Sequence, residues 1–156
     1  MISLIRALLL LVFLSVPVYV GLRNFAFLEP YLFPLHLAQA GMVEEGTRLY
    51  GPYADAGTLE RLKSKGVKTV ISLLDPELLY EESLVERERK DTQALGMVFY
   101  NFPMRSDDPA DSRLNAAALE GIRALLKREP GARVYIHCYL GKHRSMMVLA
   151  ALGKGS

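Results

Sequence analysis

One cysteine among 156 residues excludes an internal disulfide and any metal site built from several thiolates. Histidine is nearly as scarce. His36, His137 and His143 share no metal-ligand spacing with acidic residues, so no metal centre is expected. Net charge is also small, +2 overall, and beyond residue 40 seventeen basic residues face sixteen acidic ones. That balance leaves no electrostatic footprint for nucleic acid. A hydrophobic content of 51% excludes disorder by composition. What remains is a chain of the right length for one domain plus an appendage.

The appendage is N-terminal. From Ile2 to Leu22 only Arg6 is charged, and as a helix this run spans roughly 31 Å, against a hydrocarbon thickness of about 30 Å. Residues 1–23 therefore read as a single-pass transmembrane helix, with Arg6 snorkelling to the headgroups and Pro17 bending the helix without abolishing it. The competing readings are a cleaved secretory signal and a buried core helix. Ala38-Gln39-Ala40 has the small-x-small form of a cleavage site, but it lies eighteen residues past Leu22, beyond Pro30 and Pro34, which favours a retained anchor. The α-amino group and Arg6 on one flank outweigh Arg23 on the other, which predicts the remaining domain on the non-cytoplasmic side. Residues 24–45 read as an interfacial segment or linker, with Phe25, Phe27, Tyr31 and Phe33 suited to the headgroup boundary.

From residue 46 onward, short apolar runs alternate with amphipathic ones. Thr47-Arg48-Leu49-Tyr50 predicts a short edge strand before a turn at Gly51-Pro52. Asp55 caps a helix from Ala56 to Lys65, with Leu59 and Leu62 inward and Gly66 as the stop. Val67 to Leu74, β-branched and apolar, reads as a central strand, and this helix–strand order suggests an α/β layer sandwich. Leu78 to Leu95 is a charged helix in which Tyr80 and Leu84 share a face and Glu86 pairs with Lys90. Its charges read as a solvated face; the other reading has Glu81, Glu82 or Arg87 help close a site. Met97 to Phe102 is a further strand, and Pro103 to Asp111 a polar loop bounded by prolines. Asp111 caps the next helix, Ser112 to Arg128, whose core stripe is Leu114, Ala118, Ile122 and Leu125. Pro130-Gly131 returns the chain to a strand over Arg133 to His137.

That strand ends in Cys138, with Tyr139-Leu140-Gly141-Lys142-His143 and then Arg144-Ser145 at the start of a helix. The arrangement suits a phosphate trap: loop amides point inward and the helix aims its positive end the same way. Amides, helix end and guanidinium all favour the thiolate of Cys138, whose ordinary ionisation lies near pH ~8.5. Arg144 suits bidentate contact with two phosphoryl oxygens. Gly141 lets the backbone turn inward, and the Ser145 hydroxyl lies where it can stabilise the sulfur as a leaving group. The loop Tyr139–Arg144 would bind phosphoryl oxygens. Lys142 and His143 either widen a positive rim or lie in solvent, and His137 reads as structural. A buried, inert cysteine at a strand end is the bland alternative.

His137-Cys138-x5-Arg144-Ser145 resembles the signature of the cysteine-dependent protein tyrosine and dual-specificity phosphatases. The resemblance covers residues 46–152 and implies a three-layer α/β sandwich with a central, mostly parallel sheet flanked by helices. It also implies a phosphocysteine mechanism needing no metal or cofactor, with an aspartic acid from a separate loop protonating the leaving oxygen. Asp107 and Asp108, 31 and 30 residues before Cys138, match the distance at which the family places its acid. Asp107 is preferred and Asp108 is the alternative; both would otherwise merely populate a turn. Two departures stand out. Met146 replaces a usually small residue, and the chain stops at Ser156, where the family continues with further helices, so the fold is expected to be truncated at its C-terminus.

The expected activity is hydrolysis of phosphorylated protein, with the short segments around Tyr50 to Asp55 suggesting a shallow pocket open to phosphoserine and phosphothreonine as well as phosphotyrosine. A membrane phospholipid or inositol phosphate is the rival substrate, given the anchor and Lys142. A phosphate-binding module with little turnover is the rival from another class, and a sulfurtransferase is a third.

Overall fold

Residues 2–25, 27–28 and 41–153 are described by the computed structural model of the chain. The expectations for Tyr31, Phe33, His36 and the Ala38–Ala40 site lie outside these residues. Helix α1 (Ile2–Arg23) contains Pro17 and is long and apolar enough to cross a membrane; none of its Arg6–Arg23 window is buried. It is therefore not a core helix: Leu8 to Leu11 and Phe13 stay more than half exposed.

Ten elements follow one another among the described residues, α1 first. Strands β1 (Val43–Glu45) and β2 (Arg48–Gly51) precede helix α2 (Ala56–Ser64), strand β3 (Thr69–Ser72) and helix α3 (Leu79–Ala94). Strand β4 (Val98–Asn101), helix α4 (Arg113–Arg128), strand β5 (Val134–His137) and helix α5 (Arg144–Gly153) complete it. The five strands form one mixed sheet in the order β1-β2-β5-β3-β4. Only the β1–β2 hairpin is antiparallel; β2–β5, β5–β3 and β3–β4 run parallel. Parallel neighbours need crossovers, which α2, α3 and α4 supply.

Both faces of the sheet are covered, which makes the three-layer arrangement. Tyr50, Ile71, Val134 and Ile136 pack with Ala118, Leu119 and Ile122 of α4 and Val148 and Leu152 of α5. On the other face Leu49, Val70 and Tyr135 pack with Leu59 and Leu62 of α2. Strands covered on two faces lose the alternation of buried and exposed residues, and every residue of VYIH and TVIS is buried. Asp55 caps α2 through a 2.8 Å bond from the Thr58 amide, and Gly66 follows it at φ +83°.

Several local expectations need correction. Thr47–Tyr50 is not an edge: β2 lies second in the sheet, and β1, inside the stretch read as linker, takes the outer place. Ser112, rather than Asp111, caps α4, its hydroxyl accepting from the Asn115 amide at 3.2 Å. Leu114 is only half-buried and Leu119 takes its place in the stripe. Glu86 lies 3.9 Å from Arg89, one residue nearer than the expected partner Lys90.

Ile122 is wholly buried between α4 and the sheet. Ile122→Ala is expected to lower unfolding stability by about 2–5 kcal/mol, measured by denaturant titration, whereas Ala substitution of the exposed Glu120 leaves the midpoint unchanged within error.

Candidate active site

Parallel pairing brings the C-terminal ends of three strands together, Gly51 against His137 and His137 against Ser72. The chain leaving each end turns into the same space, as expected at the carboxyl edge of an open α/β sheet. Backbone bonds tie these segments to one another: Tyr53 N–H donates to Tyr139 O at 3.1 Å, Leu73 N–H to His137 O at 2.9 Å, and Met104 N–H to Leu73 O at 3.2 Å. The loop after β5 is packed tightly on the end of β2. Gly141 has φ +68°, and a Cβ there would lie 2.6 Å from the backbone of Gly51 and Pro52. Only glycine fits that crossing.

Cys138 sits at the bottom of this loop, 2% exposed, with its Sγ 3.6 Å from Ser145 Oγ. Burial pushes its thiol pKa up, yet the amide and hydroxyl of Ser145, the charge of Arg144 and the amide of Gly141 together bring it below the ordinary value. The amides of Gly141 and Ser145 therefore face the sulfur, and since Ser145 lies in the first turn of α5, the N-terminus of that helix is toward it.

Arg144 is buried with a carboxylate that the sequence placed in solvent. Glu81 of α3 is fully buried; its Oε1 accepts from Nη2 of Arg144 at 2.5 Å and its Oε2 from Nη1 at 2.8 Å. Nη1 also reaches the carbonyls of Leu73 and Met104 at 3.0 and 3.2 Å. Burial opposes the guanidinium charge, but the fork on Glu81 more than restores it, so Arg144 stays firmly cationic. Glu81 Oε2 accepts the Asp75 amide as well, at 2.7 Å. The reading of α3 as a solvated charged face thus fails for two residues, since Glu88 is also wholly buried. Its Oε1 lies 2.8 Å from His137 Nε2, in contact but without hydrogen-bond alignment. His137 contacts this carboxylate and the ring of Tyr135, at 5.4 Å between centroids. Glu81, Leu84, Val85, Glu88 and Thr92 are the buried face of α3. The carboxylates are in phase with the apolar stripe, which is the signal a pattern of residue types alone does not weigh.

The loop carrying the acid candidates is held from two sides. Buried Asn115 of α4 accepts from the Arg105 amide at 2.9 Å, and its Nδ2 donates to the carbonyls of Arg105, Asp108 and Pro109 at 3.0–3.1 Å. Arg105 in turn contacts buried Asp75 at 2.9 Å and Glu77 at 3.1 Å. Asp107 is exposed and lines a cavity of about 310 Å³ with Leu78, Tyr80, Met104, Arg105, Ser106 and Arg144. Asp108 is half-buried and does not line it. A smaller recess of about 140 Å³ shares Tyr80, Ser106 and Arg144 with the first and adds Glu81, Tyr139, Leu140 and His143, so the two form one cleft. Lys142 is exposed and lines neither. Among the described residues no cluster of His, Cys, Asp or Glu is arranged to hold a metal ion.

No protein-family model and no curated protein matches the sequence. Solved structures do. A DUF442 protein of Shewanella putrefaciens CN-32, described as a candidate phosphatase, superposes with a TM-score of 0.58 at 18% identity, over 73% of this chain and 70% of its own. Pseudomonas aeruginosa TpbA superposes with a TM-score of 0.52 at 21% identity, over 71% of this chain and 65% of its own. TpbA has also been seen in complex with phosphotyrosine. The chain resembles cysteine-dependent phosphatases, and these likenesses establish that it shares their α/β fold.

A lowered thiol pKa keeps the reactive anion present at lower pH than in a free cysteine. Alkylation of Cys138 by iodoacetamide is therefore expected to reach half its limiting rate below the ordinary pH of about 8.5, and Ser145→Ala to move that midpoint upward. A profile identical to free cysteine overturns the assignment. Truncating Glu81 to Ala leaves a buried guanidinium without its partner, an expected loss of about 3–5 kcal/mol in chemical unfolding.

Proposed function

We propose that the chain is a phosphoric monoester hydrolase of the tyrosine/dual-specificity type, working through a phosphocysteine, and held at a membrane by α1. The observation that carries this reading is the joint geometry of Cys138 and Arg144. A thiol with a lowered pKa lies beside a buried guanidinium whose orientation Glu81 dictates.

The bonding of Arg144 supports this reading of how a phosphoryl group would be received. Its bonds to Glu81, Leu73 and Met104 engage Nη1 and one N–H of Nη2, which leaves Nε–H and the second Nη2–H as a fork for two oxygens. Amides of the Tyr139–Ser145 stretch supply the remaining donors. Cys138 Sγ attacks phosphorus, the bond to the ester oxygen breaks, and that oxygen takes the proton of Asp107. In the second step Asp107 takes a proton from water as the water oxygen attacks phosphorus. The S–P bond breaks, the sulfur leaves as thiolate beside the Ser145 hydroxyl, and inorganic phosphate is released. Asp107 is the better candidate because it lines the cavity with Arg144, while the backbone of Asp108 is bound to Asn115. Lys142 and His143 are proposed as a cationic rim, with His143 lining the recess itself.

A chromogenic aryl phosphate tests the reading. Acid quenching is expected to trap a phosphocysteine on the wild type, and Cys138→Ser to abolish both adduct and turnover. Asp107→Asn should lower kcat by about 10²–10⁴-fold, with Asp108→Asn close to wild type; the reverse order would transfer the role to Asp108. Tight phosphate binding without any adduct would leave a binding module instead.

A further inference from the structure

The end of the anchor is built into the wall of the cleft. The chain turns at Asn24, whose amide and Nδ2 both donate to Val20 O at 3.0 and 2.8 Å, and Leu28 folds back to 3.6 Å from the position a Cβ would take on Gly21. That turn delivers Phe25 onto the catalytic domain. Its ring makes edge contacts with Tyr80 and Tyr139, both at 5.9 Å between centroids, and packs on the cluster of Tyr53, Leu74, Leu84 and Val85. Tyr80 and Tyr139 line the cleft together with Arg144, and Tyr139 directly follows Cys138.

The residues around this turn are those that mark a bilayer surface. Arg23 Nη1 donates to the Tyr19 hydroxyl at 3.2 Å on the exposed side of α1, and Phe27, two residues after the docked Phe25, is 74% exposed. Amphipathic aromatics and a snorkelling arginine collect at the headgroup level, whereas Leu8 to Leu14, exposed and apolar, belong below it. The headgroup layer is about 5–8 Å deep on each side. A phosphate loop one ring contact away from Phe25 therefore lies at that layer, not beyond it on a flexible stalk.

We propose that Phe25 fixes the anchor to the rim of the cleft so that the cleft opens into the headgroup layer, and that its substrate is a phosphomonoester on a lipid head group in the same leaflet. This rests on the phosphomonoesterase reading above and names its substrate class. A lipid phosphate diffusing in that leaflet reaches Arg144 by lateral motion alone. A folded phosphoprotein must bring its side chain into a mouth flanked by the bilayer. Exposed Lys142 on the loop adds positive charge that favours an anionic lipid surface.

The test uses the full chain reconstituted in phosphatidylcholine vesicles doped with phosphatidylinositol 4-phosphate. Parallel assays supply soluble inositol phosphate, a phosphotyrosine peptide and an aryl phosphate. Vesicle lipid is expected to be hydrolysed with a kcat/KM about 100-fold or more above that of soluble inositol phosphate, the order that confining both reactants to one surface gives. A Gly-Ser-Gly-Ser insertion between Asn24 and Phe25 leaves Phe25 in place and frees the anchor. It should cut lipid turnover about 10-fold, as lost placement does, with aryl phosphate turnover unchanged; Phe25→Ala should shift the same ratio in the same direction. Equal turnover of vesicle lipid and soluble head group, preference for the phosphopeptide, or an insertion without effect on lipid would each overturn the proposal. In all of those cases aryl phosphate hydrolysis still proceeds, so the hydrolase reading survives. Loss of aryl phosphate hydrolysis in the wild type would sink both.

Discussion

The site depends on one buried ion pair, Glu81 with Arg144. Two charges removed from water are costly, and their attraction offsets that cost only when the geometry is good and the remaining donors are satisfied. Here the geometry is good: two nitrogens of Arg144 meet both oxygens of Glu81, and Nη1 is further bound by two carbonyls. Glu81 is occupied in turn by the Asp75 amide. The guanidinium therefore cannot swing, and its unused edge keeps a set direction beside Cys138. A lysine, with a single flexible point charge, could not be held in that way.

That pair also joins parts of the chain far apart in sequence. Glu81 lies at the start of α3, Leu73 beyond β3, Met104 beyond β4 and Arg144 at the start of α5. Because β2, β5, β3 and β4 run parallel, all their outgoing segments lie on one edge, and the pair closes that edge. Asn115 performs a related task one layer away, stitching the loop of Asp107 onto α4 by one accepted and three donated bonds. Glu81 and Asn115 are fully buried with their bonds made, and so specify one arrangement of the loops instead of several.

Much of the fold could be read from local pattern. The Asp55 cap, the helix over Ala56–Ser64, the apolar strand at Thr69–Ser72 and the strand leading into Cys138 are where the residues place them. Strand β1 could not be read: its three residues are all exposed, so they carry no alternation. Nor could the place of β2 in the sheet, because sheet order is a long-range property with no local signature. Ser112 and Asp111 are both capping residues, and only backbone direction chooses between them.

By itself the sequence determined the setting of Cys138, since Cys138, Gly141, Arg144 and Ser145 are neighbours along one strand–loop–helix turn and their chemistry is local. It also determined an apolar N-terminal helix of membrane length. Only the tertiary structure decided what surrounds that turn: that Glu81 and Glu88 are buried behind it, that Asp107 and not Asp108 lines the cavity, and that Phe25 reaches Tyr139. The physical reason is that a carboxylate on a helix belongs in water unless a distant cation or imidazole meets it, and a sequence does not show which distant groups will meet.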